Sequence, residues 1–170
     1  MRRVAFAAIA LALVAACSGG ADDDDTTSAE TTTTEGAEAA PTTASDGSLD
    51  PCSLITAEEA EDVLGAEPGE PTNVNAGGVG ACTYRLEDGS AAVQINVEPG
   101  DASVFESRTA QMGGGSVDGV GDQAQVNGTI GQIAVVQDDV VFAIFVMLPG
   151  GADVDHATLT DLGGAAAGRL

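Results

Sequence analysis

Residues 4–16 form an uninterrupted apolar run behind a basic head, Met1-Arg2-Arg3, and small residues lead from it into Cys17. This order of basic, apolar and small residues is that of a secretory signal peptide, expected here over residues 1–16. As a helix the run would reach about 20 Å, short of the ~30 Å hydrocarbon core, so a permanent membrane span is not expected. Residues 18–48 carry no large apolar side chain, and they include the runs Asp22-Asp23-Asp24-Asp25 and Thr31-Thr32-Thr33-Thr34. Such a stretch has nothing to bury, and residues 17–49 are expected to be a disordered tether. A flexible chain of about 32 residues has a root-mean-square reach of about 30 Å.

Periodic patterning begins at Asp50-Pro51-Cys52. Thr56-Ala57-Glu58-Glu59 fits a capping box, and Ala57, Ala60, Val63 and Leu64 share one face of a short helix that Gly65 ends. Residues 73–80 read as a Gly- and Asn-containing loop. Three hairpin signals follow. Segments 81–86 and 91–97 flank Asp88-Gly89, and 123–126 and 129–136 flank Asn127-Gly128, both favoured turn dipeptides. Segments 130–136 and 140–148 flank Gln137-Asp138-Asp139. Val93, Ile95 and Val97 alternate with Gln94 and Asn96, which predicts one buried and one polar face. Residues 140–148 are apolar on both faces and predict the central strand. Residues 101–112 predict a helix capped by Asp101 and stopped by Gly113-Gly114-Gly115. A last helix is expected from Val154, with Ala157, Thr158, Leu162, Ala165 and Ala166 at helical spacing, weakened at Gly163-Gly164 by about 1 kcal/mol per glycine. Together these elements predict one α+β domain over residues 50–170, an antiparallel β-sheet with helices packed on a face. A weak helix-plus-hairpin recurrence runs through it.

Charge narrows the partners. Beyond residue 16 only Arg85, Arg108 and Arg169 oppose 27 acidic residues, a formal net charge of −24, and lysine is absent. Nucleic acid is excluded as a partner, because phosphate binding relies on lysine and arginine. Direct adsorption to an anionic membrane is disfavoured for the same reason. With no Trp, one Tyr and four Phe, the core must come mainly from Val, Ile, Leu and Ala. Branched and small residues leading into a cysteine resemble a bacterial lipobox, which makes Cys17 the expected site of lipidation and the first mature residue. Cys52 and Cys82 then remain as an even pair in an exported chain, which reads as one disulfide.

Candidate chemistry is thin. Gly119-Val120-Gly121-Asp122-Gln123-Ala124 matches the string G-x-G-x-x-A, but Asn127-Gly128 turns the chain before the helix that a dinucleotide site requires. These glycines are expected in turns. His156 is the sole histidine, with no nucleophile elbow, and Ser116 and Asp118 make no triad by proximity in sequence. It is expected as a polar residue in the first turn of the last helix. Glu58-Glu59, Glu61-Asp62 and Asp138-Asp139 read as solvated faces and turns. Asn127-Gly128-Thr129 is formally a glycosylation sequon, for which the turn is the better account. No cofactor and no metal are expected.

Asp50-Pro51-Cys52-Ser53-Leu54-Ile55-Thr56, leading into a helix that ends Val63-Leu64-Gly65, resembles the start of the domain-of-unknown-function 3558 lipoproteins of actinobacteria. Gly80-Ala81-Cys82-Thr83-Tyr84, the segment 117–124 and an Ala-rich end at Arg169-Leu170 are also similar to that family. The resemblance implies a lipid-anchored cell-envelope domain and carries no catalytic residues. The expected protein is thus an exported lipoprotein on the outer face of the cytoplasmic membrane, held by lipid on Cys17. Its domain is expected to be non-enzymatic and to bind a small apolar ligand or an envelope protein. The alternatives are an accessory or sensing subunit of a membrane complex, or a hydrolase using His156 or a carboxylate pair.

Overall fold

The computed structural model describes residues 49–170; the expected signal peptide, Cys17 and most of the tether lie outside the described residues. The described residues contain three α-helices, α1 (Ala57–Leu64), α2 (Ala102–Thr109) and α3 (His156–Ala167). Seven strands accompany them: β1 (Thr72–Ala76), β2 (Val79–Arg85), β3 (Ala92–Pro99), β4 (Gly115–Val117), β5 (Gln123–Asn127), β6 (Gln132–Gln137) and β7 (Val140–Met147). They form one antiparallel sheet of order β1-β2-β3-β7-β6-β5-β4. The α+β expectation holds, and β7, the strand apolar on both faces, is the central one.

Local chemistry sets the helix ends. The Thr56 hydroxyl accepts from the Glu59 N–H at 3.2 Å while the Glu59 carboxylate accepts from the Thr56 N–H at 2.8 Å. Two of the four orphan donors at the start of α1 are satisfied in this way. Gly65 closes the helix in the left-handed region, at φ 74°. The Asp101 carboxylate caps α2 by accepting from the Ser103 and Val104 N–H groups. That helix is shorter than expected, and Met112 is buried beyond its end.

Strand alternation assigns the two faces. Val93, Ile95, Ile133, Val135, Phe142 and Ile144 point to one side and form the main core with Leu54, Ile55, Ala60, Leu159 and Leu162 beneath α1 and α3. Ala134, Val136 and Val141 point to the other side, where Phe105 and Met112 cover them. Helices therefore lie on both faces of the sheet, two on one and α2 on the other. In place of a helix-plus-hairpin recurrence, α1 is followed by three strands and α2 by four, and the two helices sit on opposite faces.

Three local expectations are corrected. Residues 73–80 are not a loop: β1 pairs with β2 from Thr72↔Thr83 to Ala76↔Val79, across Gly77 and Gly78 at φ 61° and 86°. All five residues of β1 are exposed, so no buried face marked it in the pattern. β4 has three residues, too few to show alternation. At Asn127-Gly128 the chain makes no two-residue turn. A 3-10 turn over Gly128–Ile130 and Gly131 at φ 61° intervene, and β6 begins only at Gln132. Asn127 remains in β5 because its side chain is engaged on both sides, accepting from the Thr129 N–H and donating to the Met112 carbonyl. Two-residue turns with both residues at positive φ fall instead on Gly77-Gly78 and on Asp138-Asp139, the latter at 50° and 62°.

The glycines of α3 are not equivalent. A Cβ at Gly163 would stand 2.6 Å from the Ile133 Cδ1, whereas the nearest atom to one at Gly164 is 4.0 Å away. Gly163 thus lets α3 lie directly on β6, and close approach offsets its poor helix propensity. Gly119 and Gly121 take positive φ, as expected of turn glycines, and they carry the buried Val120 into the core under α3.

Cys52 and Cys82 are disulfide-bonded, with their Cα atoms 5.1 Å apart. Cys52 lies in a 3-10 turn over Pro51–Ser53, and Cys82 is buried on β2. The bond staples the entry of the domain to the sheet. The Pro51 ring occupies the space that a Cβ at Gly80 would take, and the Asp50 carboxylate accepts from the Asn73 amide at 2.6 Å.

Candidate ligand-binding groove

The face carrying α2 is only partly covered. Register places Gln94, Phe145 and Gln132 side by side on β3, β7 and β6, and Asn96, Ala143 and Ala134 in the neighbouring row. Between these rows and α2 lies a groove of about 410 Å³. Its floor is made by Ala134, Val141 and Ala143, and Phe145 stands half-buried at one side. Asn96 and Gln132 supply polar edges. The small side chains at 134 and 143 leave the hollow, because a larger residue at either register position would fill it.

The α2 wall is held by one ion pair. Arg108 donates from Nε and Nη2 to the two Glu98 oxygens, both at 2.6 Å. The bidentate geometry fixes both side chains and cancels the charge of Glu98. The Glu98 hydrogen bonds and charge hold the Arg108 guanidinium above its usual range. Gln94 donates to the Asn96 Oδ1 at 2.8 Å, and the Asn96 amide nitrogen donates to no group among the described residues. Gln132 makes no side-chain hydrogen bond among the described residues, whereas Gln125 and Asn127, further along the same face, donate to the carbonyls of Gly113 and Met112. A second hollow of about 350 Å³ lies around the β1–β2 turn, lined by Leu49, Val79 and Pro99 among others.

A separate polar node ties the end of the chain to α1. Arg169 donates to both Glu59 oxygens, at 2.7 and 3.0 Å, and to the Leu54 carbonyl at 2.8 Å. The Tyr84 hydroxyl donates to the Ile55 carbonyl at 2.8 Å. Partial burial pushes Glu59 upward, but the Arg169 guanidinium and the Thr56 donors outweigh it and hold the carboxyl below its ordinary value of 4.5. A carboxyl depressed by folding contributes stability that is present above its unfolded pKa and lost as pH falls through the folded one. Urea unfolding at neutral and strongly acidic pH should therefore show a loss of stability on acidification that Arg169→Ala makes shallower. An unchanged slope in Arg169→Ala would mean that the Arg169–Glu59 pair contributes nothing to the acid sensitivity of the fold.

The remaining residues singled out in the sequence are dispersed. The His156 Nε2 accepts from the Gly128 N–H at 3.2 Å, and the Gly128 carbonyl accepts from the Val154 N–H, so the imidazole pins the β5–β6 connection to the start of α3. No hydrogen bond joins that ring to Ser116 or Asp118 among the described residues. Glu58, Glu61 and Asp62 are exposed on α1, and Asp138-Asp139 form the β6–β7 turn. The Asp122 carboxylate accepts from the Asp138 N–H across that turn. No group of three or more His, Cys, Asp or Glu side chains among the described residues is gathered to hold a metal. No helix among the described residues is long and apolar enough to cross a membrane. Phe145, Gln132 and Arg108 were not legible as site residues. The signal available was the alternation placing Gln94 and Asn96 on a polar face.

The molecule is a disulfide-stapled α+β domain with an amide-edged groove on its partly open sheet face. The family model described as "Protein of unknown function (DUF3558)" matches residues 12–141, and the chain belongs to that family. The match starts upstream of the expected domain and ends within β7, so α3 lies beyond it. No curated protein and no solved structure matches the chain.

Proposed function

We propose that this protein is an exported lipoprotein of the cell envelope, anchored by lipid on Cys17 to the outer face of the cytoplasmic membrane, whose domain binds its ligand without catalysis. The observation that carries the binding role is the groove between α2 and the polar rows of β3, β7 and β6. A small concave site with an apolar floor and a few convergent polar groups is the usual form of a ligand site. The anchor is supported by the basic head, the apolar run and the small residues before Cys17, and the family match, which begins at residue 12, takes in the end of that run and Cys17. Engagement of the His156 ring by a backbone N–H supports a structural role for that residue rather than a general base.

The anchor is tested in cells. Wild type should fractionate with membranes and carry acyl mass on Cys17, and Cys17→Ala should leave a precursor or release the protein. An unchanged, detergent-extractable mature form of Cys17→Ala contradicts the anchor. The accessory-subunit reading draws on β1, an uncharged, fully exposed edge strand able to pair with a partner. Crosslinking in cells would then recover one dominant membrane protein, and a scattered background would count against it.

A further inference from the structure

The groove's chemistry selects among ligand classes by what each would leave unsatisfied. β3, β7 and β6 are interior strands whose backbone groups are paired on both sides, so the groove offers no free strand edge to an extended peptide. Recognition must come from side chains. An anion would enter the field of a chain carrying 27 carboxylates against five basic residues. A cation would find Glu98 already neutralised by two short hydrogen bonds from Arg108. A wholly apolar ligand would cover the Gln132 amide and the Asn96 donor without pairing them, and a buried unpaired polar group is destabilising. What remains is a neutral molecule with many donors and acceptors around its edge and one apolar face.

The geometry supplies a counterpart to each of those features. Phe145 is half-buried at the side of the groove, in register with Gln132, whose amide lines the groove, and with Gln94, whose amide orients Asn96. Each amide both donates and accepts, which suits hydroxyl groups that do the same. Ala134 and Ala143 leave room beside the ring for a flat body. We infer that the groove is a saccharide site, taking one or two neutral sugar rings, with the C–H face of a ring on Phe145 and its hydroxyls on Gln132 and Asn96. This rests on the proposed binding role and names the chemistry of its ligand.

The test uses the purified full chain in a zwitterionic detergent without sugar headgroups. Saturation-transfer NMR is run against cellobiose, maltose, trehalose and N,N′-diacetylchitobiose, with 1-octanol as a neutral apolar probe. At least one disaccharide should receive saturation, strongest on one ring face. Phe145→Ala and Gln132→Ala should each weaken its binding by about tenfold, as loss of a contacting group would. Glu61→Gln, on the opposite side of the sheet, should leave binding unchanged. Gln132 is only half-buried, so its variant serves if Phe145→Ala fails to fold. Saccharide binding unaffected by both groove variants overturns the inference. Binding of 1-octanol alone, lost in Phe145→Ala, also overturns it but leaves the groove standing as a ligand site. Silence from every probe counts against both.

Discussion

Replacing Cys52 and Cys82 together by alanine is expected to lower the unfolding free energy by about 3–4 kcal/mol in the chain-entropy model. The bond closes a sequence separation of 30 residues that includes α1 and β1. Without it, the unfolded chain regains the freedom of that loop. The native state also loses packing, because Cys82 is fully buried in the main core. For a domain of this size the change corresponds to a melting temperature lower by roughly 10–20 °C. Urea unfolding of wild type and the double variant without reductant, and of wild type with reductant, measures it. A difference below about 1 kcal/mol would mean that the Pro51 contact on Gly80 and the Asp50–Asn73 hydrogen bond hold the entry turn unaided.

Gly131→Ala should be nearly as damaging, at about 2–4 kcal/mol from left-handed strain and a forced backbone shift together. Gly131 sits at φ 61°, and a Cβ there would collide with the Val146 carbonyl oxygen of the central strand. The contact is between a Cβ fixed to the main chain and a backbone oxygen, so no rotamer change relieves it. The Gly131 carbonyl also accepts from the Val146 N–H at 2.7 Å, so any shift disturbs the connection into β6. Equilibrium unfolding compares it with Gly150→Ala, which shares a positive φ of 71° but has nothing within 4 Å of the added Cβ. Equal losses at the two positions would show that backbone strain alone, rather than the collision, sets the cost.

The sequence disclosed those parts of the fold whose local chemistry and burial agree. The capping box at Thr56 and Glu59, the cap at Asp101, the two-sided apolar strand at the centre and the alternation in β3 are all of this kind. β1 was hidden because pairing with β2 holds it while its side chains stay exposed, so no period of two appears. Asn127-Gly128 misled because tertiary bonds to Met112 and His156 override the local turn preference. The paired cysteines were legible from their even number once Cys17 is set aside as the expected lipidation site. The groove was not: Phe145 sits among apolar neighbours that mark only a central strand. Its place in register with Gln94 and Gln132 arises from pairing of the β6–β7 hairpin with β3, which is remote from it in sequence.

Native mass spectrometry tests most directly whether the half-open sheet face holds a ligand. The full chain would be incubated with an envelope extract, and the same done for Phe145→Ala and Gln132→Ala. A discrete added mass on wild type, absent from both variants, is the expected result. A clean unliganded mass, or an adduct that both variants retain, would contradict a ligand site on that face.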